Sequence, residues 1–186
     1  MVHTAGIKGS NWFVSIGGFR EVPISDVDDL LTRVREAASP ALFQLFDADR
    51  VAGWRHLLFA AVNAVKAFEG GTAVSRSLEM EALLYASCQD QISRAFEVIG
   101  VSPATERVAL LVLAKSHEDM KKSFDRISRV LGVADDSVLQ VDEGKFEDVK
   151  GVYEVSGAEL EVVGGPREEA LTWLVVERGA LIRVRR

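Results

Sequence analysis

The chain has 186 residues, of which 48% are hydrophobic and 27% charged, as is typical of one soluble globular domain. The net charge of −6 disfavours a dedicated nucleic-acid binder, and the single cysteine, Cys88, excludes an internal disulfide framework and fits a reducing cytoplasm. The apolar runs are too short to cross a bilayer and no secretory signal pattern is present, so we expect a cytoplasmic protein without a membrane partner.

The first third of the chain predicts two strands with one helix between them. Residues 1–10 are small and polar, so we expect a flexible N-terminus there. The apolar side chains of the first strand are Trp12, Val14, Ile16 and Phe19. Gly17-Gly18 lies among them and indicates either a bulge or a close approach of another backbone segment. A helix is expected from Ser25 with Pro40 after its end, and residues 41–51 predict the second strand.

Residues 61–100 contain concordant signals for three helices. The first ends at Gly70-Gly71, and its apolar stripe consists of Leu57, Ala61, Ala64, Val65 and Phe68. Either Ser75 or Ser77 can cap the second helix, which has acidic residues in its first turn. The third helix is expected to be capped by Asp90.

The second half of the chain predicts one more strand and several helices. Residues 106–114, ERVALLVLA, form a nearly continuous apolar run, as in a strand buried on both faces. A capped helix and an acidic segment with a short helix follow. Ser156 and Glu159 then form a capping box. The final helix starts near Arg167, and residues 179–186 permit either its continuation or a terminal strand.

Few strands among five or more helices predict a mixed α/β (α+β) fold. We expect a single compact domain over residues 11–186, in which several helices pack on a small sheet.

The sequence contains no pattern that predicts catalysis or metal binding. His3, His56 and His117 are scattered without metal-ligand spacing, and Cys88 has no partner cysteine. A packed, hydrogen-bonded helix histidine is the expected role of His56. Residues 70–72, Gly-Gly-Thr, lack the remaining glycine and lysine positions of a phosphate loop, so a glycine helix stop explains them better. We therefore predict no catalytic residue, no metal ligand and no cofactor.

Three segments in the middle of the chain carry a family resemblance: HLLFAAVNAVKAF (56–68), SRSLEMEALLYAS (75–87) and QISRAFEVIGV (91–101). They resemble the core of the KEOPS-complex subunit that binds the PRPK-type kinase (the TPRKB family), in its archaeal form. The pattern is specific by its length and order, and it continues weakly to the C-terminus. The resemblance implies a compact domain with a largely antiparallel sheet, and it retains Glu81 next to the core.

The same resemblance implies a non-catalytic subunit that supports N6-threonylcarbamoyladenosine formation in tRNA. The implied partners are the PRPK-like kinase/ATPase and, through it, the Kae-type threonylcarbamoyl transferase. Archaeal members bind the single-stranded 3′ CCA end of tRNA, and the loop before the second central helix is a reasonable place for that contact. Solvated charge beside a helix cap is the simpler explanation of this loop from the residues alone. The carried-over candidates are Lys66, Val74, Ser75, Arg76, Ser77 and Leu78.

In the family, the C-terminal helix region docks on the N-terminal lobe of the kinase. The last helix here stays apolar beyond its core stripe, which is typical of a helix that is buried or shared with a partner. The kinase-binding candidates are Trp173, Glu177, Leu181 and Ile182. Gly179 stands where the family commonly has a larger residue, so the docking geometry stays open.

Two other functions compete with RNA recruitment. A pure protein-interaction regulator of the kinase, with no RNA contact, is favoured by the acidic net charge and by the lack of an obvious exposed aromatic residue in the loop. An uncharacterised small enzyme would need a convergent polar pocket that no pattern in the sequence indicates.

Overall fold

The computed structural model describes residues 2–183. Within that range the strands are β1 (His3–Gly6), β2 (Phe13–Arg20), β3 (Leu42–Asp47), β4 (Val108–Ala114) and β5 (Val133–Ala134). The α-helices of the same range are α1 (Val27–Ala38), α2 (Trp54–Glu69), α3 (Leu78–Ser87), α4 (Ile92–Ile99), α5 (His117–Leu131), α6 (Glu143–Val152), α7 (Gly157–Val163) and α8 (Arg167–Ala180). The predicted mixed fold of one domain is confirmed.

The sheet has the strand order β1-β2-β4-β3, and β5 pairs with the end of β2. Every pair is antiparallel, as the resemblance implied. Strand β4 lies between β2 and β3 and is buried at all seven positions. This confirms the prediction of a strand with two apolar faces.

Helices cover both faces of the sheet. Phe19 and Leu110 pack in a cluster with apolar residues of α1 and α5. Ile16 and Leu111 point to the opposite face and pack with α2 and α3. Helices α6 and α8 form an outer layer with its own apolar cluster, and α8 packs against α2. The chain therefore has two cores divided by the sheet, with a third beside them.

Gly17-Gly18 marks a close approach, the second of the two predicted alternatives. A Cβ atom at Gly18 would lie 2.6 Å from the Asp135 carbonyl oxygen and 2.5 Å from a methyl group of Val138. The Gly18 N–H donates to the Asp136 carboxylate at 2.9 Å. Glycine thus lets the segment after β5 lie directly on β2.

The N-terminus differs from its prediction as a flexible tail. His3–Gly6 forms the edge strand β1, paired with β2, and the His3 ring stacks on Trp54 with centroids 4.3 Å apart. The sequence did not predict this strand, because its small polar residues show no alternating apolar pattern. A strand at the sheet edge can form without that pattern, since backbone hydrogen bonds hold it.

Two of the predicted helix starts are displaced. Helix α1, expected from Ser25, begins at Val27, because the Asp26 carboxylate caps it by accepting the Asp28 and Asp29 N–H groups. Helix α4 begins after Gln91 rather than Asp90, with no side-chain cap. The capping box of Ser156 and Glu159 is confirmed.

His56 is a packed helix histidine, as predicted. Its ring is 2% exposed; Nδ1 accepts the Ala52 N–H at 3.1 Å, and Nε2 donates to the Ala86 carbonyl at 2.8 Å. The Tyr153 hydroxyl donates to the same carbonyl at 3.1 Å. These bonds require the neutral ring, and burial lowers the His56 pKa to about 4.

We expect Gly18→Ala to lower the free energy of unfolding by about 1–3 kcal/mol, because the new methyl group would collide with the Asp135 carbonyl. Gly151→Ala in α6 is the control: no atom lies within 4 Å of its added methyl group. It should be neutral or stabilising by up to about 1 kcal/mol. Urea denaturation measures both, and equal stability of the two variants would contradict the close approach.

We expect acid to destabilise the protein through His56. The unfolded chain binds a proton near the ordinary His pKa of 6.5, whereas the folded chain resists protonation until about 4. Stability should therefore fall as pH decreases from 6.5 to 4, by up to about 3 kcal/mol from this residue. Stability–pH curves of the wild type and His117→Gln should share this slope, and His56→Gln should lose it. An unchanged slope in His56→Gln would contradict the assignment.

Candidate functional site

The loop of residues 70–77 joins α2 to α3 and is folded back on the end of α2. The Gly70 N–H donates to the Lys66 carbonyl at 2.9 Å, and the Thr72 N–H donates to the Ala67 carbonyl at 2.8 Å. Gly71 has φ of +67°, a left-handed conformation that favours glycine. The glycine helix stop predicted here is confirmed.

A buried carboxylate on α3 holds the rest of the loop. Glu81 is 0% exposed, and its Oε2 atom accepts the N–H groups of Val74 at 3.1 Å and Ser75 at 2.9 Å. The Ser75 hydroxyl donates to the Ser77 carbonyl at 2.6 Å. Ser77 is the N-cap residue of α3, although its side chain makes no capping bond. Glu81 therefore fixes the loop backbone. The sequence had indicated a favourable charge in the first turn of the helix and, by the resemblance, a position next to the core, but not this contact.

The other oxygen of Glu81 reaches the C-terminal segment. Glu81 Oε1 forms an ion pair with Arg183, which lies in the 3₁₀ turn Leu181–Arg183 after α8. Arg183 also donates from Nη1 to the Thr72 carbonyl at 2.7 Å. Its guanidinium carbon lies 5.5 Å from the Tyr85 ring centre. A buried carboxylate is tolerated when it is paired and hydrogen-bonded, and Glu81 has both kinds of partner.

The six RNA-binding candidates divide between surface and interior. Lys66, Val74 and Arg76 are exposed, and Ser77 is half-buried. Ser75 and Leu78 are buried, so Leu78 does not offer the flat apolar contact considered for it. Lys66 is exposed on the last turn of α2, and Val74 and Arg76 are exposed on the loop, whereas Ser75 and Leu78 are buried beneath it.

Phe68 is an exposed aromatic residue that the sequence assigned to the buried stripe of α2. Its side chain is 36% exposed, and the Gly71 N–H donates to its carbonyl at 3.3 Å, where the loop begins. Helical spacing predicted burial, but α2 ends one residue later, and in its last turn Ala67 is buried in the core whereas Phe68 is on the exposed side. The combination of a large apolar residue and an adjacent glycine stop is the signal that could have identified it.

The C-terminal segment is helical, and the alternative of a terminal strand is wrong for the described residues. Helix α8 ends at Ala180, and Leu181–Arg183 continues it as a 3₁₀ turn; residues 184–186 lie outside the described range. Gly179 permits this geometry, because a Cβ atom there would lie 2.6 Å from the Tyr85 carbonyl oxygen. Gly179 thus allows a close crossing of α8 over α3.

The kinase-binding candidates also divide. Trp173 is 37% exposed, Glu177 is exposed and Leu181 is half-buried, whereas Ile182 is 8% exposed and packs in the core beneath α2 and α3. The outward apolar side chains are Trp173, Val176, Ala180 and Leu181, at the spacing of one helix face. Trp173 and Leu181 are separated by about 12 Å along the helix axis.

Two concavities lie beside this face. Trp173 packs edge-on against Phe59 and lines a polar groove of about 810 Å³ together with Trp54. Glu177 and Leu181 line a smaller pocket of about 120 Å³ between α7 and α8. Trp173 and Leu181 therefore lie beside different concavities at the two ends of one face.

Two buried groups away from both surfaces have a strongly lowered pKa. Burial lowers the pKa of Lys145 to about 8, and its ammonium donates to the Val138 carbonyl at 2.9 Å. His56 is enclosed in the interior, as described above. In residues 2–183 no three His, Cys, Asp or Glu side chains are grouped to hold a metal ion. No helix in that range is long and apolar enough to cross a membrane.

Comparison with known proteins matches the greater part of the chain to one family. The model of the kinase binding protein CGI-121 family matches residues 19–182. Regulatory protein Cgi121 of Methanocaldococcus jannaschii is 30% identical to this chain over 115 residues, which cover 62% of this chain and 72% of that protein. The matched residues include the loop and α8, and they end at Ile182, one residue before the end of the 3₁₀ turn. The chain therefore belongs to the CGI-121 family of kinase-binding proteins.

Proposed function

We propose that this protein is a non-catalytic KEOPS subunit that binds a PRPK-like kinase/ATPase and recruits tRNA through its 3′ CCA end. The observation that carries the RNA contact is a backbone-fixed loop whose outer surface has basic and apolar side chains. The resemblance of residues 56–101 to the archaeal subunit, and membership of a kinase-binding family, support the assignment of partners.

The loop offers the two kinds of contact that a single-stranded RNA end requires. Bases of a single strand stack on aromatic or flat apolar side chains, and its phosphates attract cations. Phe68 and Val74 are exposed apolar residues, and Lys66 and Arg76 are exposed cations of the same connection. Because Glu81 occupies the Val74 and Ser75 N–H groups, these side chains, and not those backbone donors, must contact the RNA.

The net charge of −6 limits how strongly such a site can bind. Its cations must attract phosphate within a field that is repulsive on average, so the affinity should be modest and should fall steeply with salt. A weak site is still useful in a complex, because tethering to the kinase and its transferase raises the local concentration of tRNA.

The outward face of α8 is the proposed kinase-binding surface. Its apolar side chains are incompletely covered by the described part of the chain, and large aromatic and aliphatic side chains of this kind anchor protein interfaces. Trp173, Glu177 and Leu181 are available for contact. Ile182 is buried and would act by supporting Leu181.

The competing proposal is a kinase-binding regulator that does not contact RNA. Two observations favour it: the acidic net charge, and the burial of Ser75 and Leu78, which leaves a small outer surface on the loop. Both proposals share the kinase surface on α8, so only an RNA-binding experiment separates them.

The RNA proposal predicts that the protein binds full-length tRNA more tightly than the same tRNA without its CCA end. The double variant Lys66→Glu/Arg76→Glu should abolish the difference, because it replaces the exposed cations of the loop. Phe68→Ala should weaken binding by about 1–3 kcal/mol through lost stacking. Gel-shift titrations at low and moderate salt measure the affinities.

The matched control is Lys121→Glu/Arg129→Glu, which makes the same charge change on exposed positions of α5, on the other face of the sheet. It should keep the preference for the CCA end. Equal binding of intact and trimmed tRNA by the wild type would reject the RNA contact and leave the regulator.

The kinase proposal predicts that Trp173→Glu and Leu181→Glu each weaken binding to the PRPK-like kinase at least about tenfold, because each introduces a charge into an apolar contact. Leu31→Glu on α1 is the control, because this side chain is half-buried like that of Leu181 but lies on the other face of the sheet. Calorimetric titration measures the affinities, and a loss as large for the control would place the kinase elsewhere.

A further inference from the structure

One short turn carries a residue of the kinase surface and a residue that holds the RNA loop. Leu181 opens the 3₁₀ turn and is half-exposed beside the α8 face. Arg183 closes it and pairs with the buried Glu81 carboxylate, while donating to the Thr72 carbonyl. Ile182 between them is buried in the core, so the two flanking residues share one anchored backbone.

The Glu81 carboxylate links the turn to the loop. Its Oε2 atom accepts the Val74 and Ser75 N–H groups, and its Oε1 atom faces Arg183. Without the arginine, a fully buried carboxylate would keep only the two backbone donors for its negative charge. Hydration of the carboxylate would then lower its desolvation cost, and water can reach it only if the loop opens.

Arg183 also constrains the opposite side of the loop. Its hydrogen bond to the Thr72 carbonyl holds the first half of the loop, which follows α2. Glu81 holds the second half, which precedes α3. The Tyr85 ring beneath the guanidinium limits its displacement. Together these contacts hold both halves of the loop against one end of the C-terminal turn.

We propose that Arg183 is a positioning residue for the loop of residues 70–77, and that through it the kinase and RNA surfaces are energetically coupled. The positioning role is independent of RNA, and the coupling rests on the proposed function. A kinase that packs on Leu181 stabilises the turn, keeps Arg183 on Glu81 and keeps the loop closed. By reciprocity of binding free energies, RNA on the loop strengthens kinase binding by the same factor.

The positioning role is tested by hydrogen exchange of the Val74 and Ser75 amides in the full chain without ligands. Arg183→Met removes the charge and preserves much of the side-chain length, so these two amides should exchange roughly tenfold to a hundredfold faster. Arg178→Met is the matched control, since Arg178 also lies near the end of α8 but pairs with Glu159 on α7. It should leave both amides unchanged.

The amides of β4 report the stability of the whole fold in the same experiment. Unchanged exchange of Val74 and Ser75 in Arg183→Met would overturn the positioning role, because Glu81 would then hold the loop alone. Should Arg183→Met unfold, Arg183→Lys replaces it, keeping the charge while losing the planar fork. Selective acceleration of the loop amides supports the role, and equal acceleration of loop and β4 amides overturns it.

The coupling is tested by tRNA titration of the wild type with and without saturating PRPK-like kinase, with kinase alone titrated in parallel. The kinase should tighten tRNA binding by up to about twofold, because the loop is already closed in much of the free protein and only the open fraction can be recruited. That factor should approach one in Arg183→Met and persist in Arg178→Met. An equal factor in both variants would overturn the coupling. Absence of tRNA binding by the wild type would reject the proposed RNA function, while the exchange result still decides the role of Arg183.

Discussion

The fold depends on a strand that carries no charge and is buried on both faces. Strand β4 lies between β2 and β3, and every one of its residues is removed from solvent. Such a strand requires a layer of helices on each side. Helices α1 and α5 cover one face, and helices α2 and α3 cover the other. Of these four, α1, α2 and α3 precede β4 in the sequence and α5 follows it. The sheet therefore forms only when distant parts of the chain come together.

The proposed surfaces lie where this constraint is weakest. Helix α2 packs on the sheet with one side and on the outer layer of α6 and α8 with the other. Its last turn buries Ala67 in the core but leaves Phe68 partly exposed next to the loop. Helix α8 buries one side against α2, and the other retains apolar side chains that the described residues cover only in part. The proposed binding residues thus lie at the edges of rigid helices, which hold them in place while leaving them partly exposed.

The spacing of apolar residues predicted the helices and strands that bury an apolar face or stripe. The strand at 106–114 and the capping box of Ser156 and Glu159 were evident because each depends on residues near in sequence. Strand β1 was not, since its stability comes from backbone pairing at an edge. The bond between Glu81 and Arg183 was also beyond prediction from residue patterns, because it joins distant segments through the crossing of α8 over α3. Family resemblance pointed to the loop and the C-terminal helix, but it could not show which of their residues are buried.

An acidic chain with a weak RNA site is physically consistent when recruitment, and not isolated affinity, is the function. Charges on remote parts of the surface are largely screened beyond about 8 Å at physiological salt, so the cations beside the loop dominate the local field. They cannot provide a high affinity by themselves. An open loop would lower it further, because closing it on RNA would cost conformational entropy. Closing the loop in advance, through Glu81 and Arg183, reduces that cost, and a partner that stabilises the C-terminal turn reduces it again. The physical link between the two surfaces would thus let a weak site bind RNA best where the kinase is already present.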